Sequence, residues 1–258
     1  KGYTYDWYIF YPYNEELSIV NNTGAVIIGS KADKAQTQAV YGDKTHVSGD
    51  YMPMFGTATG VEEGKTPNAE LQHLSSILEL NIASCMPTDV QISEVKVTAG
   101  EAIVGEFVFD FIKGSVTPVE GTSSNTATLT VKEPATLQNG ESAKFYLIVK
   151  PFTAKAADGL TISVNGSEKQ ISLNEDLVFA PGKMTSIDYT YYDVTQIQDS
   201  LLGKFRIKTM WVYGGTGAEY GGAGWVDIYN KPWWFDQASG HSITAELDNY
   251  LEFTLTDL

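Results

Sequence analysis

Apolar and polar residues alternate with a period of two along most of this chain. Val90, Ile92, Val95 and Val97 form one such run. Val104, Phe107, Phe109 and Phe111 form another, with Gly105 placed where a bulge would reset the alternation. Ala127, Leu129 and Val131 alternate with Thr126, Thr128 and Thr130. Phe145, Leu147 and Val149 alternate with Tyr146, Ile148 and Lys150. Successive side chains of a strand point to opposite faces, so each run predicts a strand with one apolar face buried and one mixed face toward water. Residues 160–164 and 169–173 flank Asn165-Gly166, which predicts a tight hairpin. Glycine or proline interrupts these runs at intervals of about ten residues, the rhythm of β-sandwiches. Only residues 70–80 show helical spacing, at Leu71, Leu74, Ile77 and Leu78. Leu78, Leu80 and Ile82 then alternate, so the pattern leaves helix and strand both open there. Residues 194–202 read as a short helical turn or a linker.

Composition narrows the class. Of 258 residues, 43% are hydrophobic, 12% aromatic and 19% charged, which supports a packed core and excludes disorder. The net charge of −15 offers no basic footprint for a nucleic-acid backbone or for anionic lipid. No apolar run approaches the roughly 20 residues of a membrane-spanning helix. Cys85 is the single cysteine, which rules out an intrachain disulfide. Ile82-Ala83-Ser84-Cys85 resembles a lipoprotein cleavage box but lacks the basic start and apolar stretch that such a box follows, and is read as coincidence. Strand-like runs stand close to both ends, so the sequence is expected to be part of a longer chain.

Candidate chemistry is sparse. Gly60-Val61-Glu62-Glu63-Gly64-Lys65-Thr66 is one residue short of a phosphate loop and carries two glutamates that would repel phosphate, so a turn is expected. His46, His73 and His241 match no metal-ligand spacing, and His73 is expected to be a satisfied structural histidine. No cofactor, metal or catalytic residue is expected. The composition changes near Tyr192. Residues 194–258 hold four of the five tryptophans, the sole arginine (Arg206) and a glycine cluster over 214–224. Tyr220, Trp225, Tyr229, Trp233 and Trp234 are the candidate ligand-binding residues, because flat aromatic faces stack on the C–H faces of sugars. The competing account is a tryptophan-rich core. Glu219, Asp227 and Asp236 lie among these aromatics as candidate paired carboxylates for glycoside hydrolysis, with plain surface acids as the stronger account.

Several segments, in order, resemble the fimbrillin-like surface proteins of Bacteroides-type bacteria. Tyr5-Asp6-Trp7-Tyr8-Ile9-Phe10-Tyr11-Pro12-Tyr13 is similar to an early aromatic strand of that family. Met52-Pro53-Met54-Phe55-Gly56, Leu71-Gln72-His73-Leu74-Ser75-Ser76 and residues 90–98 follow at suitable distances. Phe179-Ala180-Pro181-Gly182-Lys183 leads into a closing strand that ends at Tyr191. The resemblance covers roughly residues 3–192. It implies an all-β chain of consecutive antiparallel β-sandwich domains with Greek-key connections. The expected division is 1–115 for a first sandwich lacking its N-terminal strands, 116–193 for a second, and 194–258 for an incomplete Trp- and Gly-rich β module.

The resemblance also implies a non-catalytic adhesion protein of the cell surface, on the outer-membrane face, and a lipid anchor absent from this chain. Its partners would be other fimbrial or surface subunits, joined by β-strand donation. The alternative is a surface lipoprotein that binds glycan through the Trp-rich module. Nucleic acid is not an expected partner.

Overall fold

The computed structural model describes residues 2–13, 23–48 and 51–193, together with the backbone of four short strands between 203 and 253. Every regular element among the described residues is a strand. The chain forms two compact units, Lys1–Tyr192 and Asp193–Leu258.

In chain order the first unit comprises β1 (Thr4–Tyr11), β2 (Thr23–Ile28), β3 (Gln36–Val40), β4 (Met54–Glu62), β5 (Gln72–His73), β6 (Ser76–Ser84), β7 (Val90–Thr98) and β8 (Val104–Asp110). It continues with β9 (Ser115–Ser124), β10 (Thr126–Leu137), β11 (Ser142–Val149), β12 (Phe152–Ala154), β13 (Leu160–Val164), β14 (Ser167–Ile171), β15 (Leu177–Phe179) and β16 (Met184–Tyr191). In the second unit, β17 (Gly203–Phe205) pairs with β20 (Leu251–Phe253), and β18 (Thr209–Val212) pairs with β19 (Gly224–Asp227).

Four sheets build the first unit. Their strand orders are β1-β4-β5, β2-β8-β9, β14-β13-β7-β10-β3 and β11-β6-β16, with β12-β15 as a separate ribbon. Pairing is antiparallel except between β3 and β10 and between β6 and β16. The sheets do not divide at residue 115. β3, β6 and β7 precede that position yet pair with strands that follow it. Hydrogen bonding groups strands by matching edges rather than by chain order.

Two apolar cores result. Val26, Ile28, Phe107, Phe109 and Phe111 of the β2-β8-β9 side are buried with Leu74, and Tyr8, Phe10 and Phe55 of the first sheet pack against them. The rings meet edge-on, with Phe55 4.6 Å and Phe111 4.9 Å from Phe109. Edge-to-face packing suits the ring quadrupole. The second core takes Leu78, Leu80 and Ile82 of β6, Val95 and Val97 of β7, Leu129 of β10, and Phe145 and Leu147 of β11, all fully buried.

Residues 70–80 hold β5 and the first part of β6, so the strand-like spacing prevails over the helical one. Gly105 sits at φ +112° beside a register shift in the β8–β9 pair, which is the bulge its position implied. Asn165 and Gly166 both adopt positive φ in the β13–β14 hairpin, as a two-residue turn of that kind requires.

β11 is where the alternation misleads. Its Phe145–Leu147–Val149 face is buried, but Tyr146 and Ile148 on the other face are buried too. Tyr146 is covered by β3 and the following turn, and Ile148 packs into the first core. Gln38 Oε1 accepts from the Tyr146 N–H at 3.0 Å, and Gln38 Nε2 donates to the Lys144 carbonyl at 3.1 Å. The Gly42 N–H donates to that same carbonyl at 2.8 Å, and His46 Nε2 lies 2.9 Å from the Tyr146 carbonyl. Lys44 Nζ stands 4.9 Å from the centre of the Tyr146 ring. An edge whose backbone groups are engaged from the Lys144 carbonyl to Ile148 offers little for pairing with another chain.

Candidate functional site

Among the described residues the β1-β4-β5 sheet leaves much of its edge backbone without a pairing strand. β1 pairs β4 along its whole length, with Phe10 opposite Phe55 and Tyr11 opposite Met54. Among the described residues no strand pairs the outer edge of β1. On the far side of β4, β5 pairs only at Met54 and Phe55. From Gly56 onward the chain that would continue β5 runs over the face of the sheet instead. A Cβ at Gly56 would lie 2.7 Å from the Glu70 carbonyl oxygen, so only glycine allows that crossing.

β1 divides its side chains by role. Tyr8 and Phe10 face inward, Tyr8 at 5.7 Å from Phe111 and Phe10 at 6.4 Å from Phe109. Tyr5, Trp7 and Tyr11 are exposed, Trp7 to 46%. A bulge between Tyr5 and Trp7 lets Asp6 Oδ1 accept the Gly60 N–H at 2.8 Å.

Beside the open side of β4 lies a groove of about 810 Å³. It is lined by Phe55, Phe111 and Leu74 together with the charged Glu70, Lys113 and Lys150. The 110–114 turn forms one wall. Asp110 Oδ1 accepts the N–H groups of Ile112 at 2.9 Å and Lys113 at 3.0 Å, and Lys113 Nζ lies 3.2 Å from the other carboxylate oxygen. The Lys113 backbone hydrogen bond is the main cause that holds the Asp110 carboxyl below its ordinary range. Lys150, largely buried, donates to Glu101.

His73 lines this groove with its Nδ1 buried and unpartnered, so it is not the satisfied histidine expected. Gly182 packs on its ring, where a Cβ would lie 3.2 Å from Cδ2. A ring held by close contacts at one face accounts for its fixed place without any ligand role.

One buried carboxylate lies outside the groove. Glu79 on β6 is 5% exposed. Lys144 Nζ donates to it at 3.0 Å and Ser186 Oγ at 2.9 Å. Burial alone would raise its pKa, but the hydrogen bonds from Lys144, Ser186 and Tyr146 outweigh that and leave it lowered. Tyr146 is correspondingly raised, by burial first and by Glu79 second. The residues come from three adjacent strands of one sheet and leave no open position for a substrate. The geometry is that of a satisfied ion pair.

Among the described residues no group of three or more His, Cys, Asp or Glu side chains could hold a metal ion. The expected phosphate-loop lookalike is the end of β4 and the turn that follows it, with Gly60 and Gly64 at positive φ. In the tail, Trp225 in β19 stands opposite Trp211 in β18 by backbone register, and Asp227 opposite Thr209. Tyr220, Tyr229, Trp233, Trp234, Glu219 and Asp236 lie outside the described residues.

No protein-family model and no curated protein matches the chain. Its fold is similar to that of solved structures described as candidate cell adhesion proteins of Bacteroides species. The one from Bacteroides uniformis is 16% identical over 72% of this chain and 67% of its own, with a TM-score of 0.44. The one from Bacteroides ovatus is 14% identical over 72% and 62%, with a TM-score of 0.42. The one from Bacteroides thetaiotaomicron is 17% identical over 73% and 68%, with a TM-score of 0.36. The chain thus spans about two thirds of each. At these values the likeness concerns strand arrangement and says nothing of what this chain binds.

Proposed function

We propose that the chain is a non-catalytic adhesion protein of the bacterial cell surface that joins other subunits by β-strand addition at the β1-β4-β5 sheet. One observation carries the reading. Among the described residues the edge of β4 beyond Phe55 is unpaired, and it faces a groove lined by Phe55 and Phe111. An extended segment laid there would gain backbone hydrogen bonds from the edge and bury alternate side chains against Phe55 and Phe111. The capped edge of β11 supports the same reading by contrast. The fold closes one vulnerable edge with side chains and leaves another bare.

The sequence segments that resemble fimbrillin-like proteins support placement at the outer-membrane face, by way of a lipid anchor. The partner would be another fimbrial or surface subunit. The test is an assembly assay on full-length precursor, with and without limited proteolysis, run unboiled on a denaturing gel. A ladder that collapses on boiling is expected. Ile112→Asp, at an exposed position on the groove wall, should abolish the ladder without loss of thermal stability. A single monomer band under every condition would overturn the proposal.

A further inference from the structure

The outer edge of β1 is a second stretch of open backbone in the first sheet, since no strand pairs it among the described residues. Its flat part has definite ends. The bulge between Tyr5 and Trp7 breaks the regular ladder on one side. Pro12, which has no N–H to give, ends it on the other. Between these limits Trp7, Tyr8, Ile9, Phe10 and Tyr11 run in unbroken register against β4 and carry no charge. A flat apolar stretch of edge without charge, proline or bulge is one on which another strand can pair.

The core beneath this edge is unfinished. Phe107, Phe109 and Phe111 are at most 2% exposed, whereas Tyr8 and Phe10, which pack on that core from β1, are only half-buried. A strand added beside β1 would complete the core if it set large apolar side chains opposite Tyr8 and Phe10. On the outward face it would lie beside Trp7, Ile9 and Tyr11. The β1 strand of a second copy meets both conditions. Antiparallel pairing sets like faces together, and a two-fold axis at Ile9, the midpoint of the flat stretch, fixes the partners. Tyr8 then stands opposite Phe10 of the second copy, Trp7 opposite its Tyr11, and Ile9 opposite its Ile9. Aromatic and β-branched cross-strand pairs are favourable ones. The same axis sets Asp6, the one charged residue of β1, opposite Pro12 rather than against its own copy, and Asp6 already accepts the Gly60 N–H.

We propose that the chain forms a two-fold dimer by antiparallel pairing of β1 with the β1 of a second copy, centred on Ile9. This stands apart from strand addition at β4, because it uses the opposite edge of the sheet and a copy of this chain rather than a different subunit. A two-fold pairing of one edge with itself closes, so it yields dimers and no filament. Five residues a side make an interface below the standard size, and the net charge of −15 on each copy opposes approach. A reversible dimer with a dissociation constant of about 10–100 μM is the expected scale.

The test is sedimentation velocity of the full chain from about 5 to 500 μM, a range that spans the expected dissociation constant. Every sample carries Ile112→Asp, so that pairing at the β4 groove does not contribute. The parent should pass from monomer to dimer with rising concentration and go no further. Ile9→Lys and Ile9→Glu each set like charges face to face at the axis, and each should weaken the dimer at least about tenfold. An equal mixture of the two should restore it, because opposite charges then meet. A second pair of variants, at exposed positions, guards against an Ile9 variant that does not fold. Trp7→Lys with Tyr11→Glu in one chain sets opposite charges across the axis and should dimerise, while Trp7→Lys with Tyr11→Lys should stay monomeric. The proposal is overturned if the parent is monomeric at about 500 μM, if the Ile9 variants dimerise as well as the parent, or if neither complementary combination dimerises. A monomeric parent here together with a ladder in the assembly assay would strike this proposal and leave the β4 reading in place.

Discussion

Gln36 engages both backbone groups of Ile148. Its Nε2 donates to the Ile148 carbonyl at 2.7 Å, and its Oε1 accepts from the Ile148 N–H at 2.8 Å. The side-chain amide thus takes the place a neighbouring strand would occupy. Gln38 repeats the device two residues on, at Tyr146 and Lys144. Because β3 itself belongs to the five-stranded sheet, these glutamines tie that sheet to the edge of the β11-β6-β16 sheet. Gln36 and Gln38 are both buried while Thr37 between them is exposed, so the period-two pattern of β3 is intact but polar on its inner side.

Gln36→Leu should therefore be more damaging than its size change suggests. It strands a buried N–H and a buried carbonyl, each at about 1–3 kcal/mol, for a total loss of about 2–6 kcal/mol. Urea unfolding at neutral pH measures it. A loss under about 1 kcal/mol would mean that the edge is satisfied in another way.

Gly29 protects the same contact. A Cβ there would lie 2.3 Å from the Ile148 carbonyl oxygen and 2.9 Å from Gln36 Nε2, at φ +76°. Gly42 has a similar φ of +77° with nothing within 4 Å. Gly42→Ala should cost about 1–2 kcal/mol for the left-handed backbone alone. Gly29→Ala should cost clearly more, because the carbonyl and the amide must both shift. Equal losses in paired melting curves would count against the close approach.

Phe109 is the hub of the aromatic core, fully buried and within 6.4 Å of the centres of Phe10, Phe55 and Phe111. Phe109→Ala should destabilise by about 3–5 kcal/mol. Trp7→Ala, on the exposed side of β1, should change stability by no more than about 0.5 kcal/mol. Thermal unfolding of the two variants separates a core strand face from a free one.

Glu79 predicts an acid-side dependence. Its carboxyl is held below its ordinary value of 4.5, so it binds a proton less readily in the folded chain than in the unfolded one. The stability it contributes is full above that ordinary value and is lost as pH falls through the lowered folded value. Glu79→Gln should flatten this part of the stability curve below about pH 4.5, relative to the parent chain. An unchanged acid slope in the variant would show that other carboxylates carry it.

Much of the strand content was legible because a strand's alternation is a local property. A buried face needs apolar residues every second position, and β7, β8 and β10 carry them in plain view. The bulge at Gly105 and the hairpin at Asn165-Gly166 were legible for the same reason, since positive φ restricts the residue type at the spot where it occurs. The sugar-directed reading of the chain fell on the aromatic tail, because density of tryptophan is the signal a sequence offers. The groove beside β4 gave no such signal. Phe55, Leu74 and Phe111 stand in separate segments of the chain and share a groove only in the tertiary structure.

By itself the sequence determined an all-β chain with apolar faces, a strongly acidic balance and a change of character near Tyr192. Those follow from composition and from the period of two, which depend on neighbours along the chain. The tertiary structure alone decided which strands share a sheet, which edges are closed and which stay bare. Pairing is made by backbone groups that every residue carries alike, so residue type does not announce it. Gln36-Thr37-Gln38 reads as a wet stretch until the edge of β11 lies against it and makes the two amides worth burying.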